Sequence, residues 1–137
     1  MSDIKKVDDF IDEAGVFFLA SIDGDQAKCR PLGFHMLVDD KIYFGVGTFK
    51  DVYKQIMENP KIEIVALNNE KDKFLRYYGE AVIDENPELV EKTFEIMPEI
   101  GEIYKKNNWE MGMFYLDNAT AEFRNLFDAE ETLKFKY

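Results

Sequence analysis

The chain has 137 residues, and its 17 lysines and arginines face 28 aspartates and glutamates, for a formal net charge of −11. That length suits one domain with a substantial core, and that charge opposes binding to nucleic acid or an anionic membrane, both of which need clustered Lys and Arg. Cys29 is the single cysteine, the first ten residues lack the basic-then-apolar order of a signal peptide, and no apolar run reaches membrane-spanning length. The expectation is a soluble, cytoplasmic protein without disulfides.

Residues 2–14 place Ile4, Val7, Phe10, Ile11 and Ala14 on one helical face, with Gly15 as a stop. This short amphipathic helix would plug one end of a sheet. Residues 16–22, VFFLASI, read as a strand that is apolar on both faces and therefore central. After a turn at Asp23–Asp25, residues 27–38 form one extended segment, whose Pro31 belongs at an edge or a bulge because it has no N–H. Asp39 and Asp40 turn the chain into a third strand, Ile42 to Val46, which breaks at Gly47 and resumes as a short helix near Lys50, ending at Asn59-Pro60.

Residues 62–67 and 73–83 read as two further strands, the second with a bulge at Gly79. Asn86-Pro87 opens a helix as N-cap and first helical residue, with Leu89, Val90, Phe94 and Met97 on one side. Pro98 interrupts it, and a second piece carries Ile100, Ile103 and Tyr104 on its apolar side to about Lys106. Three strands close the chain, near residues 111–116, 120–126 and 132–135. Strands and helices do not alternate, which excludes a doubly wound α/β fold. The expected fold is a mainly-β, antiparallel barrel of six or more strands.

Side-chain catalytic machinery is sparse. His35 is the only histidine, Ser2 and Ser21 are the only serines, and one His plus one Cys does not make a zinc site. His35 reads as a structural residue and Cys29 as a buried, inert small side chain, while the many carboxylates read as solvated surface. The informative stretch is the break after the third strand. There a glycine (Gly47), a hydroxyl (Thr48) and two lysines (Lys50, Lys54) stand at a helix start in an otherwise acidic chain. Open N–H groups and the positive end of the helix dipole make such a junction an anion site. Arg30-Pro31-Leu32 lies on the preceding extended segment, and a hairpin through Asp39-Asp40 would bring it to the same surface. Together these groups suit a phosphate attached to a planar polar ring.

The order FFLAS, CRPLGF, DDKIYFGVGTFKDVYKQI, ENPKIEIVAL and FLRYYGEAVI resembles the pyridoxamine-5′-phosphate-oxidase-like flavoproteins, the FMN-binding split-barrel superfamily. It is most similar to their short bacterial branch, with nitroimidazole-reductase-like and general-stress-protein-like members, and the likeness covers nearly the whole chain. The resemblance implies a split barrel and a homodimer with FMN across its interface. It assigns Arg30, Pro31 and Leu32 to the strand along the isoalloxazine ring and Val46, Gly47 and Thr48 to the flavin's polar edge and ribityl chain. Lys50 becomes the phosphate lysine, with Lys54 assisting and Trp109 of the second subunit a candidate ring contact. Many relatives carry Thr, Ser or Asn where this chain has Val46 and Gly47, which shifts the task of holding FMN to Lys50 and the backbone.

The implied activity is that of an FMN-dependent oxidoreductase passing electrons from NADH or NADPH to a small acceptor. The extra basic and histidine residues of the true oxidases have no counterpart here, so oxidation of pyridoxamine phosphate is not expected. Two alternatives keep the fold: a flavin-binding module without turnover, and a haem or deazaflavin protein, for which His35 is the only possible histidine ligand.

Overall fold

A computed structural model describes residues 2–137. The elements run α1 (Asp3–Ala14), β1 (Phe17–Asp23), β2 (Gln26–Leu32), β3 (His35–Val38), β4 (Lys41–Gly47), α2 (Asp51–Glu58), β5 (Lys61–Leu67), β6 (Phe74–Ile83), α3 (Pro87–Ile96), α4 (Pro98–Lys106), β7 (Met111–Arg124) and β8 (Ala129–Phe135). All the strand pairings are antiparallel, in the order β2-β1-β5-β6-β7-β4-β3, with β8 added to β7. The sheet curls into the expected mainly-β split barrel.

Two strand assignments need correction. The extended segment 27–38 is two strands, because the chain leaves β1 after the Leu32–Phe17 pair and joins β4 at the His35–Phe44 pair. Gly33 and Phe34 carry it from one edge of the sheet to the other. Consequently the Asp39-Asp40 turn joins β3 to β4, and Arg30 is not on that hairpin. In the closing segment, residues 111–116 and 120–124 form one strand. β7 pairs first with β4 and later with β8, bending where Asn118 adopts φ +46°. The bend lies across from the shift at Gly79, where a Cβ would stand 2.7 Å from the Asp117 carbonyl oxygen.

Other boundaries follow the sequence signals. Gly15 ends α1 at φ +81°, a left-handed conformation that favours glycine. The Asn86 side chain accepts the Glu88 N–H at 3.1 Å, capping α3. Pro31 lies on the edge strand β2, where its missing N–H breaks no second ladder.

The barrel interior is built from alternate residues of neighbouring strands, among them Phe17, Leu19, Phe44, Ile64, Leu75, Tyr77 and Phe114. α1 closes this core with Ile4, Val7 and Ile11. His35 Nδ1 lies 2.8 Å from Asp8 Oδ1 and fastens the helix to β3, as its structural reading anticipated. A second buried group, Met36, Tyr43, Leu89 and Met113, packs between α3 and the outer side of β3, β4 and β7. β1 has neighbours on both sides, but its second apolar face is uncovered: Val16 is 54% and Phe18 47% exposed.

Candidate functional site

The junction between β4 and α2 is held from several sides. Val46 pairs with Gly112 and Gly47 with Met111, and the Thr48 N–H extends this ladder by donating to the Glu110 carbonyl at 2.9 Å. The Lys50 N–H closes a turn onto the Gly47 carbonyl at 3.0 Å. Lys50 then stands as N-cap with extended backbone (φ −82°, ψ 151°) and no side-chain cap. The N–H groups of Asp51 and Val52 find no acceptor among the described residues. These two donors lie in the first turn of α2, at its positive end, beside the exposed side chains of Lys50 and Lys54; Val52 itself is buried. The Asp51 carboxylate, also exposed in the first turn, partly offsets them.

Val46 and Gly47 contribute differently from Thr48. The Val46 side chain is buried in the barrel core, so only its backbone is available. At Gly47 a Cβ would lie 2.5 Å from the Phe49 ring and 2.9 Å from the Tyr104 hydroxyl. A side chain there would displace the ring that covers it, which gives this glycine a packing reason. Phe49 in turn stacks on Trp109 with 4.4 Å between centroids, and Tyr104 meets Trp109 in a T-shaped contact at 5.7 Å. Trp109 therefore belongs to an aromatic group of its own chain, joined through Tyr104 to Phe94. Burial pushes the Tyr104 hydroxyl pKa up, so it remains a neutral donor.

Arg30 reaches α2 by a different route from the expected hairpin. Its Nη1 donates to the Leu19 carbonyl at 3.1 Å and to Ser21 Oγ at 2.7 Å, and its Nη2 donates to Gln55 Oε1 at 2.9 Å. Ser21 and Gln55 are both buried, and the Ser21 hydroxyl also donates to Gln55 Oε1. β2, β1 and α2 are thereby tied together at one point. The Nε–H and one Nη2–H of Arg30 are not used in these bonds. Of the other two residues assigned to the ring strand, Pro31 is exposed beside Phe18 in the register, and Leu32 packs against the core.

Sequence reasoning passed over Gln55, Ser21, Phe49 and Tyr104. Gln55 had a usable signal: it occupies the buried face of α2 with Val52 and Ile56, where a polar residue needs a partner. The aromatic group had none, because its members come from α3, α4 and the two loops that lead into α2 and β7.

A cavity of about 260 Å³ opens beside the junction, lined by Thr48, Tyr53, Asp84, Glu85, Gly112 and their neighbours. Tyr53 crosses Gly112 so closely that a Cβ there would meet its ring at 2.4 Å. Asp84 is engaged, accepting from the Tyr43 hydroxyl at 2.9 Å and the Asn86 N–H at 3.1 Å. Burial and this carboxylate push the Tyr43 pKa well above its ordinary value. Cys29 is not the buried side chain expected: it is exposed on the edge strand β2, because that strand covers the core only with alternate residues near its end. No group of three or more metal-ligating side chains occurs among the described residues, and no helix there is long and apolar enough to cross a membrane.

The family model described as pyridoxamine 5′-phosphate oxidase matches residues 4–125, which span the barrel from α1 to the end of β7. The chain belongs to the pyridoxamine 5′-phosphate oxidase family. Its fold matches a NimC/NimA family protein from Clostridium acetobutylicum, with a TM-score of 0.85 and 28% identity, covering 96% of this chain and 92% of that one. General Stress Protein 26 from Bacillus anthracis str. Sterne superposes with a TM-score of 0.72 at 15% identity, covering 98% of this chain and 100% of that one. A pyridoxamine 5′-phosphate oxidase-related, FMN binding protein from Nostoc punctiforme PCC 73102 gives 0.69 at 14% identity, covering 98% and 89%. The last two likenesses establish the shared fold alone. No curated protein matches the sequence. Family membership brings flavin-binding relatives into view, while the reaction has to be argued from this chain's own residues.

Proposed function

We propose that this family member binds FMN and works as an FMN-dependent oxidoreductase, taking electrons from NADH or NADPH and passing them to a small acceptor. The observation that carries the reading is the start of α2: two open backbone donors, the Thr48 hydroxyl and two lysines within one turn, in a chain of net charge −11. This donor set suits a phosphate dianion. Lys50 and the Asp51 and Val52 N–H groups would hold it, and the spare Arg30 donors lie on the strand assigned to the ring.

Bound FMN supplies the redox chemistry, so the protein needs to bind, orient and exclude water rather than provide a nucleophile. The scarcity of side-chain acid–base groups agrees with that division of labour. Thr48, whose backbone is fixed by its bond to Glu110, would offer its hydroxyl to the ligand on this reading. The Phe49–Trp109 stack walls the junction on the side facing α4. The haem alternative meets an obstacle at His35, whose Nδ1 is held by Asp8 and whose side chain is only 9% exposed beneath α1.

A homodimer with the flavin at its interface is part of the same proposal. Val16, Phe18 and Leu67 form an uncovered apolar strip on the outer face of β1 and β5, and Pro31 adjoins it through its pairing with Phe18. Such a strip beside the assigned ring strand suits coverage by a second copy.

The test is direct. The purified protein should be yellow with a flavin spectrum, and anaerobic NADH or NADPH should bleach it. A flavin spectrum that no donor bleaches would leave a non-catalytic flavin-binding protein. A colourless protein that takes up no added FMN would overturn the reading.

A further inference from the structure

We propose that a groove between the first turns of α3 and the entrance to β7 binds an organic cation, a protonated or quaternary amine. The groove has a volume of about 460 Å³ and joins the cavity beside Thr48 through shared Glu85, Val90, Glu110 and Met111. It is lined by the aromatic residues Phe94 and Trp109, by Val90, and by the acidic residues Glu85, Glu91 and Glu110. None of those three carboxylates makes an ion pair or a side-chain hydrogen bond among the described residues. No lysine, arginine or histidine lines the groove. Lys105 lines only the adjoining groove, on the α4 side of Phe94 and Trp109.

Aromatic faces and unpaired carboxylates both attract positive charge, and neither rewards a neutral or anionic guest in the same way. The indole is also preset. Phe49 stacks on it at 4.4 Å and Tyr104 meets it at 83°, so little rotamer freedom remains to be lost when a ligand arrives. Val90 and Met111 supply apolar surface for the alkyl or aryl body that carries the ammonium. The site stands without the flavin, and its continuity with the Thr48 cavity would make it a selector for amine-bearing ligands if FMN is bound there.

Trp109 is the chain's only tryptophan and lines both this groove and the adjoining one on its α4 side, so its fluorescence reports binding at either. Substitutions at Glu85 and Glu91 assign the signal to this groove. The experiment titrates the purified full-length protein with choline and, separately, with its neutral isostere 3,3-dimethylbutan-1-ol. Choline should change the emission saturably and bind at least about tenfold more tightly than the alcohol, with added salt weakening only choline. In the double variant Glu85→Gln/Glu91→Gln, both exposed positions, choline affinity should fall about tenfold while the alcohol is unaffected. Equal affinities for the two ligands, or no saturable response to choline, would overturn the proposal. Choline binding to a protein that fails to take up FMN would uphold this site while removing the flavin reading.

Discussion

The Arg30 guanidinium donates to Gln55 Oε1 at 2.9 Å, so a residue of the edge strand β2 grips the buried face of α2. The same guanidinium holds the Leu19 carbonyl and Ser21 Oγ on β1. Arg30 thus fixes the helix whose first turn carries Lys50, whether or not it also touches a ligand. Arg30→Met should lower the unfolding free energy by about 1–3 kcal/mol, the range for losing charged hydrogen bonds to buried polar partners. A urea-denaturation cycle with Gln55→Leu should show coupling between the two positions, and strict additivity would mean that they act separately.

Lys50 and Lys54 are one helical turn apart, yet only Lys50 adjoins the open N–H groups of α2. Lys50→Ala is expected to weaken FMN binding by about 1.5–3 kcal/mol, the worth of a charge-assisted contact. Lys54→Ala should have much the smaller effect. Isothermal titration of FMN into apoprotein separates them, and unchanged affinity in Lys50→Ala would place the phosphate elsewhere.

Asp51 is the counterpart on the unfavourable side. Its carboxylate lies in the first turn of α2, where it suits the helix dipole but repels a bound phosphate. Asp51→Asn should therefore tighten FMN binding by about 0.3–1 kcal/mol at low salt, with the gain shrinking as ionic strength rises. The same substitution should slightly destabilise the FMN-free protein.

Gly79 is required by backbone rather than by side chains. A Cβ there would stand 2.7 Å from the Asp117 carbonyl oxygen and 2.9 Å from Ala119 Cα, neither of which can swing aside. Gly79→Ala should cost about 1–3 kcal/mol of stability through overpacking at the bulge. By contrast, Gly33→Ala meets nothing within 4 Å and serves as the control in thermal melts.

Acid stability should depend on Glu122. The Tyr78 hydroxyl, donating at 2.6 Å, and then Arg124 hold its carboxyl below the ordinary glutamate value of 4.5. A depressed folded-state pKa stabilises the fold above the unfolded pKa, and that contribution is lost as pH falls through the folded value. Tyr78→Phe should lower the urea midpoint at neutral pH, and the gap to wild type should close between about pH 5 and about pH 2. A gap independent of pH would assign the loss to packing instead.

The sequence by itself determined the elements whose signals are local. Apolar spacing marked α1, Asn86-Pro87 marked α3, Gly79 marked the bulge, and the glycine–hydroxyl–lysine run marked the start of α2. Each depends on residues within a turn or two of one another. Tertiary structure decided what depends on distant pairing. Segment 27–38 reads as extended throughout in the sequence, so nothing local reveals that β2 and β3 join opposite edges of the sheet. Likewise β7 reads as two strands because Asn118 bends it, although the pairing with β6 carries it through as one. The Arg30–Gln55 bond and the ring contacts of Phe49, Tyr104 and Trp109 exist only because the sheet closes. Spacing along a chain specifies which face a side chain takes, but its partner across the barrel is set by how strands choose neighbours.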